Sequence, residues 1–303
     1  MTDILIVGAG PAGLTAALYA RRAGMSVTVF DKAVYGGQAA ITPEIENYPA
    51  IDGITGPEFA QRLYEQAAGL GADIRFEEVT SLRLAGEAKV ARTGGGTYEA
   101  RAVILAHGVR RRKLGCPGEE ELLGKGVSYC ATCDGAFFRD KDVAVVGGGN
   151  TALEDALYLA EVCRCVTLIH RRAAFRGEKP LADAVRAHTA IRKLMGYEVE
   201  RIEGEGKVEA LLLRENGGSE PLRLPVSGAF IAIGYEPDNA WLEGQIDLDP
   251  EGYILSDEGC ATNLKGVFVA GDNRRKPLRQ IVTAAADGAV AAHQAAVYLH
   301  LYG

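Results

Sequence analysis

Two cysteines separated by two residues, in Cys130-Ala131-Thr132-Cys133-Asp134, are the residues in this sequence best suited to chemistry. Such a pair can close into a small disulfide ring, which takes two electrons and opens to a dithiol. Asp134 puts a carboxyl group beside the second sulfur, where it can move the proton that the chemistry needs. Two other readings of the pair stand beside this one: half of a zinc site, or two ordinary buried cysteines. Zinc requires a second pair at suitable spacing. The remaining cysteines, Cys116, Cys163, Cys165 and Cys260, form no further C-x-x-C, and they read as inert. Cys130, Cys133 and Asp134 are the catalytic candidates, and no metal site is expected.

A redox pair needs a supply of electrons, and the elements around it read as that supply. Ile4-Leu5-Ile6-Val7 is a short apolar run of the kind found in a buried parallel strand. Gly8-Ala9-Gly10-Pro11-Ala12-Gly13 follows as a G-x-G-x-x-G. Its first glycine allows a tight turn, its second lets a pyrophosphate approach the backbone, and its third lets the helix pack on the strand. Pro11 suits a first helical turn. The next strand, Val27-Thr28-Val29-Phe30, ends on Asp31, where an acid takes ribose hydroxyls. Strand, turn, helix, strand and acid in register predict a dinucleotide site. Residues 59–70 read as a helix. Residues 73–105 read as short antiparallel strands that return as a buried strand ending at His107-Gly108.

The opening of the chain then repeats. A strand over residues 141–146 runs into Gly147-Gly148-Gly149-Asn150-Thr151-Ala152, and one constant offset maps Gly8, Gly10 and Gly13 onto Gly147, Gly149 and Ala152. The same offset carries Asp31 onto His170, which is followed by Arg171, Arg172 and, one turn later, Arg176. Arginines in place of the acid accommodate a 2′-phosphate. The first site therefore suits a plain ribose and the second suits NADP, the alternative for the arginines being a solvated basic turn. Residues 229–233 and 267–269 read as further buried strands, and Arg279-Gln280-Ile281 opens an Ala-rich helix. The expected fold is α/β: two Rossmann-like three-layer dinucleotide-binding domains, the second inserted in the first. The first would comprise 1–114 with 236–303, and the inserted one, carrying the C-x-x-C, 115–235. Glycines near 108–115 and 234–237 would serve as hinges.

Composition sets outer limits. At 303 residues, 48% hydrophobic and 24% charged, the chain is long enough for two soluble domains. A net charge of −7 with only local basic clusters argues against a nucleic-acid partner. No stretch approaches the roughly 20 apolar residues of a membrane span. The N-terminus has no basic n-region or cleavage site, so a signal peptide is not expected and a cytoplasmic enzyme is.

With these motifs in place, the sequence resembles the low-molecular-weight, bacterial-type thioredoxin reductases. The resemblance rests on residues 8–13, Gly37-Gln38, Glu46-Asn47-Tyr48-Pro49, residues 130–134, residues 147–152, His170-Arg171-Arg172 with Arg176, and Gly271-Asp272 with Arg279-Gln280. It implies FAD in the first site, NADPH in the second, thioredoxin as electron acceptor, a homodimer, and rotation of the inserted domain between half-reactions. Carried over by motif, Gly8, Gly10, Pro11, Ala12, Gly13, Asp31, Gly37, Gln38, Asn47 and Val79 would touch FAD. Asp272 would hold the ribityl chain, and Arg279, Gln280 and Ile281 would lie against the flavin ring. Gly147, Gly149, Asn150, Thr151, His170, Arg171, Arg172 and Arg176 would hold NADPH. Cys133 would face the flavin, and Asp134 would supply the proton. Where the family often ends a strand Ala-Thr-Gly, this sequence has Ala106-His107-Gly108; His107 reads as a surface residue, the alternative being an effect on flavin contacts or on the hinge. Two related readings change the partner. A peroxidase-reducing flavoprotein would usually carry an extra N-terminal thioredoxin-like segment. An oxidase making small-molecule disulfides would not need the arginines. A third, non-enzymatic reading is a nucleotide sensor with a structural C-x-x-C.

Overall fold

From Ile4 to Val7 the side chains of the first strand, Thr2–Val7, are apolar on both faces, so this part must be covered on both. Ile4 and Ile6 join one cluster of buried residues, and Leu5 and Val7 join another. Burying each such side chain contributes about 1.5–3 kcal/mol. The computed structural model describes residues 1–42, 44–218 and 220–302. It divides into two compact units, Met1–Arg110 with Glu236–Gly303, and Arg111–Tyr235.

In the first unit, Thr2–Val7 pairs in parallel with Val27–Phe30 on one side and Gly96–Leu105 on the other. Gly96–Leu105 does two jobs. Its second half is a parallel strand that also pairs with Val267–Val269, and its first half runs antiparallel to Lys89–Thr93. One face of the sheet carries the helices Pro11–Arg22 and Ile281–Tyr302, which meet through small residues. A Cβ at Gly288 would lie 2.2 Å from the Ala12 carbonyl oxygen. The other face packs against Leu82, Leu84 and Ala91 of the antiparallel strands. The helix expected over 59–70 runs Gly56–Gly69, because the Thr55 hydroxyl caps it by accepting from the Glu58 amide.

The second unit repeats the plan. Asp142–Gly147 pairs in parallel with Cys165–His170 and Gly228–Ala232, and the sheet extends to Ile191–Met195 and Val127–Ser128. Leu153, Ala156 and Leu159 of helix Asn150–Ala160 pack on one face. An antiparallel sheet of Tyr197–Glu203, Ala210–Glu215 and Pro221–Pro225 covers the other through Ile202, Leu211 and Leu213.

The chain crosses into this unit after Arg110, earlier than the expected boundary at 114/115. Residues 112–115 are already fastened within it. The Arg112 amide donates to Gly234. The Glu119 carboxylate accepts from the amides of Leu114 and Gly115. The crossing segments Val109–Arg111 and Tyr235–Pro237 pair as a two-stranded ribbon. Among the described residues, no helix is long and apolar enough to cross a membrane, and no His, Cys, Asp or Glu group could hold a metal ion.

Candidate active site

Each unit forms a cavity at the carboxyl end of the strand that precedes its fingerprint, and the two fingerprints build them in the same way. Gly8 has φ +106°, and a Cβ there would come within 2.3 Å of the Ala106 carbonyl oxygen. At Gly13 a Cβ would lie 1.8 Å from the Gly8 oxygen, so close helix–strand packing demands glycine. Gly10 differs. The nearest atom a Cβ would meet is Gly37 Cα, at 4.0 Å, so the fold leaves this space for a ligand. Gly149 repeats the pattern with nothing within 4 Å, while a Cβ at Gly147 would strike the Ala232 oxygen at 2.2 Å.

Gly8, Gly10, Pro11, Ala12, Asp31, Gly37 and Gln38 line the cavity of the first unit with Asp272, Gln280 and Ile281. Val79 lines an adjoining cavity that shares Gly8, Asp31 and His107. Asp31 Oδ2 accepts from the Ala9 amide at 2.7 Å, and Oδ1 accepts from Ala33 at 3.0 Å. Three residues expected at the ligand stand back from the cavity wall. Gly13 lies under the turn. Asn47 donates from Nδ2 to Gln280 Oε1 at 3.1 Å. Arg279 stacks on the Tyr253 ring at 3.9 Å.

Asp272 supplies the observation that tests a flavin here. Its Oδ1 is buried and has no hydrogen-bond partner among the described residues. Burial pushes this carboxyl up, while Lys276 and Arg279 oppose that shift. A buried acceptor left open costs free energy unless a ligand hydroxyl fills it. The helix Ile281–Tyr302 begins at the same wall and presents its positive end. Both features fit a polyol chain leading to a ring that becomes anionic on reduction.

In the second unit the cavity is lined by Gly147, Gly149, Asn150, Thr151, His170, Arg171 and Arg176, joined by Arg112 and Lys113; Arg172 is not on its wall. The His170 imidazole packs against Gly148, where a Cβ would meet it at 2.5 Å. Burial, reinforced by Arg176, Arg172 and Arg171, pushes the imidazole pKa down against a contact with the Ala174 backbone. The buried His170 Nε2 has no hydrogen-bond partner among the described residues. The amides of Arg176 and Gly177 donate to the Gly148 oxygen at 2.7 and 3.1 Å, fastening the arginine loop to the fingerprint. Two guanidinium groups and an open imidazole nitrogen fit a phosphate ester. Asn150 is held by Glu178, accepting from its amide at 2.7 Å.

Cys130 and Cys133 form a disulfide with Cα atoms 5.3 Å apart. Cys130 caps the short helix Ala131–Asp134, its sulfur accepting from the Cys133 amide at 3.2 Å. Cys133 is exposed and Cys130 half-buried. The Asp134 carboxylate accepts from the buried Ser128 hydroxyl at 2.5 Å, and that hydroxyl oxygen accepts from the Cys130 amide at 3.0 Å. Ser128 thus ties the acid to the redox ring. The other cysteines are free, and burial pushes Cys116, Cys163 and Cys260 each up to about 11.

The chain matches the pyridine nucleotide-disulphide oxidoreductase family over residues 2–288. It belongs to that family. It is 46% identical to the thioredoxin reductase of Mycolicibacterium smegmatis over 98% of this chain and 96% of that one. It is 45% identical to the bifunctional thioredoxin reductase/thioredoxin of Mycobacterium leprae over 98% of this chain and 66% of that one. The solved thioredoxin reductase of Lactococcus lactis superposes with a TM-score of 0.94 at 36% identity, covering 99% of this chain and 100% of that one. Membership in the pyridine nucleotide-disulphide oxidoreductases carries with it the use of a flavin and a pyridine nucleotide.

Three further residues have environments that the motifs do not announce. His107 is not a surface histidine. It lies half-buried on the wall of the first unit's cavity, with Nε2 2.7 Å from Asn239 Oδ1 and Nδ1 3.4 Å from Asn273 Nδ2. Its partners lie more than a hundred positions away in the chain, so no local pattern could announce them. Phe137, four residues past Cys133, is 74% exposed. Asp155 shares the buried helix face of Ala152 and Leu159, and that helical spacing was the available signal. Burial pushes its carboxyl up to about 7, opposed by Arg111 and reinforced by Glu154. The unfolded chain loses this proton near pH 4, so the stabilisation is complete below about pH 4 and is lost as pH rises through about 7. Asp155→Asn should therefore raise the melting temperature at about pH 8 and leave it nearly unchanged at about pH 4. An equal shift at both pH values would show that Asp155 does not titrate.

Proposed function

We propose that the protein is an NADPH-dependent thioredoxin-disulfide reductase, with FAD in the first unit and NADPH in the second. The observation that carries this reading is a disulfide C-x-x-C on the same compact unit as an arginine-lined nucleotide cavity, in a chain whose other unit carries a flavin-type cavity. Bound flavin supplies the exchange between hydride chemistry and thiol chemistry. The chain's own groups do the rest. Gly10 and Gly149 leave room for pyrophosphates, Asp272 accepts from the ribityl chain, and Gln280 and Ile281 line the ring. Arg171, Arg176 and His170 take the 2′-phosphate. Asp134, steadied by Ser128, moves the proton as the Cys130–Cys133 bond opens on gaining two electrons. One thiolate then attacks the disulfide of thioredoxin, a mixed disulfide forms, and the second sulfur displaces reduced thioredoxin. Exposed Phe137 gives the partner an apolar contact beside the ring. Gly108 and Gly234, flanking the paired crossing segments, let the inserted unit rotate between half-reactions. We place the enzyme in the cytoplasm as a homodimer, as the resemblance to the bacterial-type reductases implies.

Anaerobic addition of NADPH should bleach the flavin absorbance. NADPH oxidation should then require a thioredoxin when thioredoxins, glutaredoxins and small disulfides are compared. Turnover with glutaredoxin or a small disulfide alone would replace thioredoxin as the substrate. Absence of bleaching would overturn the electron path.

A further inference from the structure

The first unit buries a chain of charges behind Asp272. The Lys276 side chain is only 6% exposed, and its Nζ lies 2.8 Å from Asp287 Oδ2 and 3.9 Å from Asp272 Oδ1. Asp287 is itself held from three directions: Arg274 Nη1 donates to its Oδ1 at 2.8 Å, Lys276 to its Oδ2, and the Gly271 amide to Oδ2 at 3.0 Å. Lys276 is therefore pinned by Asp287 and stops short of bonding Asp272. The Asp272 oxygen that it faces is the buried acceptor without a hydrogen-bond partner among the described residues, on a residue of the cavity wall. If Lys276 reached Asp272 directly, it would occupy one of that oxygen's acceptor positions. Without Lys276, the carboxylate would be buried with Asp287 pressing it toward the neutral form and Arg279 as its remaining cation.

We propose that Lys276 is a positioning residue of the flavin site, supplying from a fixed distance the positive charge that keeps Asp272 an anionic acceptor for a ligand hydroxyl. The proposal rests on reading this cavity as the flavin site. The charged groups facing Asp272 are Lys276, Arg279 and Asp287; Asp31 and His107 share the cavity wall. Loss of the Lys276 charge removes one of the two cations that oppose protonation of Asp272, so its carboxyl takes a proton at higher pH. A charge-assisted hydrogen bond to the ligand then becomes a neutral one, of about half the strength.

The test is titration of the flavin-free full chain with FAD, followed by fluorescence, between pH 6 and 8. Lys276→Gln keeps an N–H donor for Asp287 and removes the charge. Wild-type affinity should be flat across this range, and Lys276→Gln should bind about tenfold more weakly at pH 6 than at pH 8. Lys276→Gln combined with Asp272→Asn should bind weakly with no pH dependence, because the group that titrates is gone. A structural role alone would weaken binding equally at every pH, and that outcome would overturn the proposal. If Lys276→Gln does not fold, Lys276→Met carries the same pH comparison. A wild-type chain that bound no FAD would overturn the flavin reading. Wild-type binding beside a pH-independent Lys276→Gln would overturn the proposal alone.

Discussion

Replacing either Cys130 or Cys133 with serine is expected to reduce NADPH-dependent thioredoxin reduction to background, while NADPH still bleaches the flavin. The chemistry requires both sulfurs: one to open as the ring gains two electrons and two protons, the other to resolve the mixed disulfide. A serine oxygen can do neither. The substitutions should also be mild structurally. Cys130 caps its short helix by accepting from the Cys133 amide, and serine is a preferred residue at that position. Cys133 is exposed, so its replacement opens no cavity. Loss of activity with unchanged flavin content and melting temperature would therefore report on chemistry. Wild-type turnover by Cys130→Ser would remove the ring from the path. Asp134→Asn keeps an oxygen for the Ser128 hydroxyl but loses the proton-moving carboxyl. It should slow turnover severely with FAD retained.

What the sequence made legible was whatever repeats or follows local periodicity. Both fingerprints could be read because each glycine answers to a neighbour a few residues away, and the offset between them exposed the exchange of Asp31 for His170. Strands such as Thr2–Val7 were readable because burial of residues 4–7 on both faces leaves an unbroken apolar run there. The antiparallel strands were harder to read. Gly96–Leu105 changes neighbours halfway along, so its pattern answers to antiparallel pairing in its first half and parallel pairing in its second.

The remaining features depend on contacts between distant parts of the chain. His107 looked like a surface residue because Asn239 and Asn273, which hold it, come from a segment that returns only after the inserted unit. Arg274 and Lys276 are buried by pairing with Asp287, which lies on the last helix and has no signature near them in the sequence. Ser128 and Asp134 are near neighbours in sequence, but only the turn at Cys130 brings the hydroxyl onto the carboxylate. The first crossing fell before 114 because Glu119, reading the backbone of Leu114 and Gly115, belongs to the second unit.

The same arginine motif sets the second large effect, a switch in coenzyme. Arg171 and Arg176 line the cavity and Arg172 does not, so their contributions should differ. Both lining arginines are exposed, which puts each contact with a phosphate at the low end of the charge-assisted range, about 1.5 kcal/mol. Losing both should cost about 3 kcal/mol, or roughly a hundredfold in the ratio of kcat/KM for NADPH over NADH. NADH, which lacks the 2′-phosphate, should be used about as well as before. Arg172→Ala alone should shift the ratio much less, because its charge acts through solvent. The preference of the wild type should also fall as salt is raised, and that of the double variant should not. His170 adds a separate signature: a bound phosphate facing its open nitrogen should raise its pKa from the lowered value that burial imposes, which NMR can follow with and without NADP. An Arg171→Ala/Arg176→Ala enzyme with an unchanged coenzyme ratio would mean that the phosphate lies elsewhere. A ratio that collapsed with Arg172→Ala alone would mean that the loop closes over the ligand with Arg172 turned inward.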